Sequence, residues 1–515
     1  MVDRMPQINV GKILTLLKEH NLLVTSDLSA NLGADFTQVT YDSRQVTEQT
    51  LFFCKGNFKV EFLESAQAKG AQAYVSEQRY ETNLPAIIVT NIQQAMAVLG
   101  AAFYDFPQNK LNIIAYTGTK GKTTAAYFTN SIMQQRFTGQ TALFSTINTV
   151  VGNKMDDTFK SSLTTPESLD LFKNMDRAVN NEMQQLVMEV SSQAYKKDRV
   201  YNLKYDIGVF LNISPDHLGK NEHPTFADYL HCKEQLLVNS KVCVINAETQ
   251  HLRDIYGAAK ATSQPEDIYL FARKGAEITD NIPVDVEFEA ISDTLTDNVI
   301  SVSAVSEKAK QLNLTGQYEL SLPGDFNEVD ATAAIITSAL SGLSQDDIRM
   351  GLQSTVVPGR METYETNNHG TVYVDYAHNY ASFHSLLGYL KSQAPNGRII
   401  VVTGSTGDKG EDRRYGIGKA IGESADVALL TVDDPGTEDP AEIARTIADN
   451  IQNTAVKHEY VADRKTAVEQ AIKMSTPDDL VVIAGKGHDP YQKINNQDVP
   501  YESDSVIVKQ FVKGM

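Results

Sequence analysis

Apolar residues along this 515-residue chain come in short runs, most of them followed by a stretch with helical spacing. Near the start, LTLLKEH (14–20) has the spacing of a short amphipathic helix. Beyond it, LFF (51–53), AYV (73–75) and AIIV (86–89) predict the strands of a small α/β domain over 1–105. A second series, LNIIAY (111–116), LVMEV (186–190), IGVFLN (207–212) and KVCVIN (241–246), predicts buried strands alternating with helices, hence a central doubly wound parallel sheet over 106–342. Within it, 263–320 alternates polar with β-branched residues and predicts a small antiparallel addition. A third series, VYVD (372–375), RIIVV (398–402), VALLTV (427–432) and LVVIAG (480–485), predicts a Rossmann-like α/β domain over 343–515, with STVVPGRME (354–362) as linker. The expected fold class is therefore α/β in three domains, as a length of roughly 150 residues per domain also requires.

The first strand of the central domain runs into TGTKGKTT (117–124), and a helical pattern follows. That is the context of a P-loop: Gly118 and Gly121 let backbone N–H groups face phosphates, Lys122 can reach the outer phosphates, and the Thr123 hydroxyl suits Mg²⁺. Tyr116 stands where the full Walker spacing has its first glycine. Glu189 ends LVMEV, and Asp216 and His217 follow the next strand, at the edge where open α/β sheets bind ligands; all three are placed to approach Mg²⁺. LTTPES (163–168) adds hydroxyls. In the third domain Arg360, Asp375 and His378 accompany two Gly-rich loops, GSTGDKGEDRR (404–414) and AGKGHDPYQ (484–492), which describe a second binding edge. In TVDDPGTEDP (431–440) a helix N-cap accounts for the later carboxylates, whereas Asp433 and Asp434 sit at the strand end, where carboxylates want a cation. Lys233, in DYLHCKEQLL (228–237), reads from the residues alone as a solvated lysine on an amphipathic helix.

Charge narrows the choice. With 46 basic and 65 acidic residues the net charge is −19, which argues against a general nucleic-acid binder but leaves room for a phosphorylated small substrate held by local cations. No apolar stretch reaches the ~18 residues of a membrane span. The N-terminus shows no signal-peptide core, and Cys54, Cys232 and Cys243 lack metal spacing; a cytoplasmic protein without a membrane partner is expected.

GTKGKTT (118–124), TTP (164–166), EVSS (189–192), NISPDH (212–217), GDFN (324–327), PGR (358–360), DYAHN (375–379) and GKGHDPYQ (485–492) occur in the order seen in the Mur ligases. With DSR (42–44) this resemblance covers nearly the whole chain, and it is greatest to the members that add the third residue of the peptidoglycan stem peptide. The resemblance implies that the first domain holds a uridine diphosphate substrate, the second ATP with Mg²⁺, and the third the incoming amino acid, in a monomer. ATP would phosphorylate the terminal carboxylate of UDP-N-acetylmuramoyl-L-alanyl-D-glutamate, and an amine would attack the acyl phosphate. It further implies ATP contacts by Gly118, Thr119, Lys120, Gly121, Lys122, Thr123, Thr124 and Asn327, with Arg360 and Asp375 from the third domain. Thr123, Glu189, His217 and Lys233 match metal ligands, Lys233 after carbamylation by CO₂; Lys122, Glu189, His217, Lys233, Arg360 and Asp375 form the catalytic set. Ser43, Thr164, Thr165, Ser191 and Arg199 match contacts to the nucleotide-peptide substrate. The chain departs from the family pattern at Lys120, commonly Asn, at Gln193, commonly His, and in GKNEH (219–223), two residues longer than usual, which shifts the spacing from His217 to Lys233.

Relatives that add meso-diaminopimelate typically carry DNPR at the position of DDPG (433–436), and that arginine can grip the distal carboxylate in a bidentate pair. Gly436 removes the cation and Asp434 replaces a neutral residue, so L-lysine is expected, with Asp433, Asp434, Pro435, Gly436 and Asp489 at its site. L-ornithine satisfies the same logic one methylene shorter, and meso-diaminopimelate stays the alternative. Folylpolyglutamate synthetase shares the P-loop core but lacks a uridine-nucleotide domain ahead of it. A P-loop nucleotide switch would leave Glu189, His217, Arg360 and Asp375 without a joint purpose.

Overall fold

In the computed structural model, which describes residues 6–28, 35–56, 58–216, 219, 222–295 and 297–514, the chain divides into two compact units. The first comprises 1–291, 299–320 and 325–355; the second comprises 356–515 with the short segments 292–298 and 321–324.

The first unit holds two large sheets. One has five strands, with Ala86–Val89, Ala71–Ser76, Thr50–Phe53 and Gln38–Thr40 parallel and Leu23–Ser26 antiparallel at the edge. The other has eleven strands. Its middle is a parallel series ordered Thr141–Phe144, Gln185–Glu189, Asn112–Thr117, Tyr205–Phe210, Ser240–Asn246, Ile268–Arg273 and Val286–Asp293. All of these strands but the last are largely apolar and buried, as expected where helices cover both faces, which is why the sequence reveals them. Asn112–Thr117 comes first in the chain yet lies between later strands, so the connections diverge on either side of it. That switch point opens a crevice at the carboxyl ends of the strands, next to TGTKGKTT.

The stretch 263–320 corrects the expected antiparallel addition. Ile268–Arg273 and Val286–Asp293 extend the central sheet in parallel, and the antiparallel pair described is Asn298–Ala304 with Gly316–Glu319. Alternation reports a half-exposed face, here near the margin of a sheet, and says nothing about the direction of the neighbouring strand. Helix Gln345–Ser354, assigned from sequence to the third domain, packs in the first unit: a Cβ on Gly351 would lie 2.4 Å from the Cα of Ile132, and the Ser131 hydroxyl donates to the Gly351 carbonyl at 2.9 Å.

The second unit carries a six-stranded sheet, parallel through Thr371–Asp375, Leu480–Ala484, Ile399–Thr403, Val427–Leu430 and Lys457–Tyr460, with Glu362–Tyr364 antiparallel at one edge. Its core is aliphatic, including Val372, Val374, Ile400, Val402, Val481 and Ile483. A buried Arg464–Asp504 pair at 2.8 Å sits behind the carboxyl ends of two strands, where Arg464 also donates to the carbonyls of Val432 and Ala484. It fixes the starts of the loops that carry DDPG and GKGHDPYQ. Among the described residues no helix is long and apolar enough to cross a membrane, and all three cysteines are buried and free.

Candidate active site

Helix Lys122–Arg136 starts from Gly121, whose φ is +85° and whose Cβ, if present, would lie 2.2 Å from a carboxylate oxygen of Asp330. Only glycine meets both conditions. The loop is tied to the end of the adjacent strand: Thr119 N–H donates to the Asn212 carbonyl (3.0 Å), Lys120 N–H donates to Asn212 Oδ1 (2.9 Å), and Asn212 Nδ2 donates back to the Lys120 carbonyl (3.1 Å). Lys122 Nζ folds over its own loop, donating to the carbonyls of Gly118 (2.9 Å) and Thr119 (3.3 Å). Thr124 is buried at the base. The Thr123 hydroxyl donates to Glu189 at 2.8 Å, and Glu189, 1% exposed, also receives Thr146 N–H (2.7 Å) and Oγ1–H (2.9 Å). A hydroxyl and a carboxylate held together beside a phosphate loop are hard oxygen donors of the kind Mg²⁺ takes. Asn327 is buried in the first turn of helix Asp325–Leu340, and His217 lies outside the described residues.

Lys233 overturns its reading as a solvated lysine. It is 2% exposed, and its Nζ donates at 2.6 Å to the Gly118 carbonyl, the same oxygen that Lys122 holds. Burial, with the nearby Lys122 ammonium adding to it, pushes its pKa well below the ordinary lysine value, which favours the neutral amine. A sequence signal did exist: on helix Phe226–Val238, Lys233 stands one turn from Tyr229 and one from Leu236 and Leu237, all buried, so it occupies the apolar stripe.

Beside these groups is a cavity of about 400 Å³. Thr119, Lys122, Thr164, Ser191, Arg199 and Lys233 of the expected set line it, together with Ser192, Lys197 and Tyr229. Thr165 does not line it; its hydroxyl donates to the Glu189 carbonyl (3.1 Å) and receives Ser191 N–H (3.0 Å), bracing the loop from behind. Arg199 pairs with Glu167 at 3.0 Å, and Glu167 also takes Lys55 at 2.7 Å. Sequence reasoning missed Thr146, which touches Thr164 and Glu189, and Lys55, which touches Glu167; Glu167 itself stands in LTTPES, from which only the hydroxyls were read. Ser43 is not in this wall; its carbonyl accepts Lys69 Nζ at 2.9 Å, beside an Asp42–Arg44 pair at 2.8 Å. A larger cavity, about 620 Å³, shares Leu163 with this one but holds none of the expected site residues.

In the second unit, Asp375 accepts Met361 N–H (3.0 Å) and Ala377 N–H (2.7 Å), and Arg360 approaches it at 3.9 Å. His378 is exposed, and its Nδ1 bonds the Tyr376 carbonyl at 2.8 Å. Asp433 is buried, which pushes its pKa up to about 6 despite Arg464 and Lys486 nearby. Asp434 and Asp489 are not open carboxylates: Lys486 Nζ donates to both, at 2.8 and 3.0 Å, and Lys493 N–H adds a bond to Asp434 at 2.9 Å. The sequence reading missed Lys486, an internal cation between three carboxylates. Gly436 has φ +60°, and a Cβ there would meet the Asp408 carboxylate at 2.1 Å; a Cβ on Gly407 would likewise lie 1.8 Å from the Pro435 carbonyl oxygen.

The family description "Mur ligase middle domain" matches residues 116–338, and "Mur ligase, glutamate ligase domain" matches 359–487. A protein of Ligilactobacillus salivarius named UDP-N-acetylmuramyl-tripeptide synthetase is 59% identical over 99% of this chain and all of its own length. One from Enterococcus faecalis named UDP-N-acetylmuramoyl-L-alanyl-D-glutamate--L-lysine ligase is 48% identical over 94% of this chain and 93% of its own. Among solved structures, a UDP-N-acetylmuramoyl-L-alanyl-D-glutamate--2,6-diaminopimelate ligase superposes with a TM-score of 0.65 at 24% identity, covering 97% of this chain and 98% of that one, a likeness of fold.

Proposed function

The chain belongs to the Mur ligase family, and we propose that within it this enzyme uses ATP and Mg²⁺ to join L-lysine to the D-glutamate of UDP-N-acetylmuramoyl-L-alanyl-D-glutamate. Residues 1–105, with Ser43, would hold the uridine nucleotide, 106–355 ATP, and 356–515 the amino acid, in a cytoplasmic monomer that makes a peptidoglycan precursor. The observation that carries the choice of L-lysine is the turn at 433–436. Glycine stands there at 436 with Asp408 against it, and Asp433, Asp434 and Asp489 surround the single ammonium of Lys486. Three carboxylates around one ammonium leave an anionic excess that favours a second ammonium and opposes a distal carboxylate.

The chemistry follows from the groups in the first unit. A substrate carboxylate oxygen attacks the γ-phosphorus, the bond to the ADP oxygen breaks, and an acyl phosphate results. Lys122, with the loop N–H groups, stabilises charge on the phosphates, while Arg199 grips the anionic peptide end. The lysine amine then bonds the acyl carbon, phosphate leaves, and the nitrogen loses its proton. Thr123 and Glu189 would hold Mg²⁺ with His217 and a modified Lys233; bound there, the ion neutralises phosphate charge. Burial favours the neutral amine of Lys233, which suits that modification: its lone pair bonds CO₂, one proton departs, and the amine becomes a carbamate oxygen donor.

The test is phosphate release by the purified protein with ATP, Mg²⁺ and the nucleotide-peptide, comparing L-lysine, meso-diaminopimelate and L-ornithine. L-lysine is expected to exceed meso-diaminopimelate by about 10- to 100-fold in kcat/KM, the equivalent of one lost charge-assisted pair. Preference for meso-diaminopimelate would overturn the reading of the 433–436 turn. Release that ignores the nucleotide-peptide would overturn the ligase reaction.

A further inference from the structure

One network, buried at its Ser192 and His223 end, reaches the cavity and has no part in the chemistry above. Lys196 Nζ donates to Asp228 Oδ2 at 2.6 Å, the same oxygen lies 2.6 Å from His223 Nδ1, and His223 Nε2 lies 2.9 Å from the Ser192 hydroxyl. His223 is 0% exposed and Ser192 3%, yet Ser192 lines the cavity between Ser191 and Gln193. We propose that Ser192 offers a hydrogen-bond acceptor to a peptide N–H of the nucleotide-linked substrate, with His223 and Asp228 as positioning residues that aim its hydroxyl. This rests on the functional reading above and adds a recognition contact to it.

The orientation follows from donor and acceptor rules. The Lys196 ammonium, and after it His223, holds Asp228 below the usual carboxylate range, so its oxygen accepts only. Nδ1 therefore carries the imidazole proton, and in the neutral ring Nε2 is an acceptor. With the ring neutral, the Ser192 O–H points at Nε2, which leaves the oxygen lone pairs for the cavity. Most charged groups around that space are donors: Lys122, Lys197 and Arg199, with Glu222 the exception. They suit carboxylate and phosphate oxygens and leave an amide N–H of the ligand unanswered. A fixed acceptor at Ser192 answers it, and an analogue without that N–H would leave the site unpaired.

The same bonds could serve merely to staple helix Ser192–Lys196 onto helix Phe226–Val238. Two histidine replacements separate the roles. A glutamine amide reaches the position of Nε2 and can still accept from Ser192, whereas an asparagine amide reaches that of Nδ1 and can pair only with Asp228. Calorimetric binding of UDP-N-acetylmuramoyl-L-alanyl-D-glutamate to the full-length protein, without ATP, is the measurement. Ser192→Ala and His223→Asn should each weaken binding about tenfold, His223→Gln by no more than about threefold, and the Ser192→Ala/His223→Asn double variant no more than either single one. Binding of a non-hydrolysable ATP analogue should stay unchanged in all four. Equal effects of His223→Gln and His223→Asn, or an unaffected Ser192→Ala, would overturn the proposal while the functional reading stands. Failure of the wild type to bind the nucleotide-peptide would overturn both.

Discussion

Lys233 and Asp433 owe their chemistry to removal from water. Both are ionisable, both are buried, and in both burial is the largest cause of the shift in pKa, toward the neutral form. For Asp433 the sign of the consequence is definite. Its folded pKa of about 6 lies above the ordinary 3.8, so stability falls as pH rises through that interval, and above about pH 6 a penalty of up to about 3 kcal/mol is in place. Asp433→Asn should therefore raise unfolding stability by about 1–3 kcal/mol at pH 7.5, read by urea denaturation, while KM for L-lysine rises at least about tenfold. In the wild type, KM for L-lysine should rise as pH drops below about 6, where the carboxyl regains its proton. A flat KM between pH 7.5 and 5.5 would remove Asp433 from the amino-acid site.

Turns shape the site of each unit at the scale of elements. Gly121 and Gly436 both adopt positive φ, and at both a Cβ would collide with a carboxylate, Asp330 in one case and Asp408 in the other. Restoring the diaminopimelate-type arginine with Gly436→Arg thus does more than add a charge. It forces a left-handed backbone on a residue that resists it, at about 1–2 kcal/mol, and displaces Asp408 from Thr437. The variant should melt lower than the wild type, Gly436→Ala should show much of the same loss, and neither should use meso-diaminopimelate as readily as L-lysine. A Gly436→Arg protein of normal stability that prefers meso-diaminopimelate would show that charge alone sets the choice. The strands around these turns were legible because parallel, doubly covered strands are continuous apolar runs. Val286–Asp293 was misjudged because alternation records exposure and not strand direction, and the continuous apolar run Ile268–Arg273 was absorbed into the same stretch.

For the molecule as a whole, two units with separate cores predict separable responses to ligands. A non-hydrolysable ATP analogue with Mg²⁺ at a hundred times its Kd should stabilise the first unit by about 2.7 kcal/mol, and saturating L-lysine should stabilise the second, each read as a shift of its own thermal transition. Lys122→Ala should abolish the first shift and leave the second; one common shift for both ligands would contradict the division of roles. What the sequence by itself determined is the set of strands and helices, the P-loop between its strand and helix, and the family, because each is written in residues adjacent along the chain. What the tertiary structure alone decided is which side chains lose water and whom they meet there. Lys233 bonds a carbonyl 115 positions away, Lys486 reaches Asp434 across 52, and Ser192 meets His223 across 31. Desolvation and pairing depend on that distant company, so a cation among three carboxylates and an aimed serine hydroxyl became visible only once the chain had folded, whereas the apolar stripe that holds Lys233 was already written in its helix.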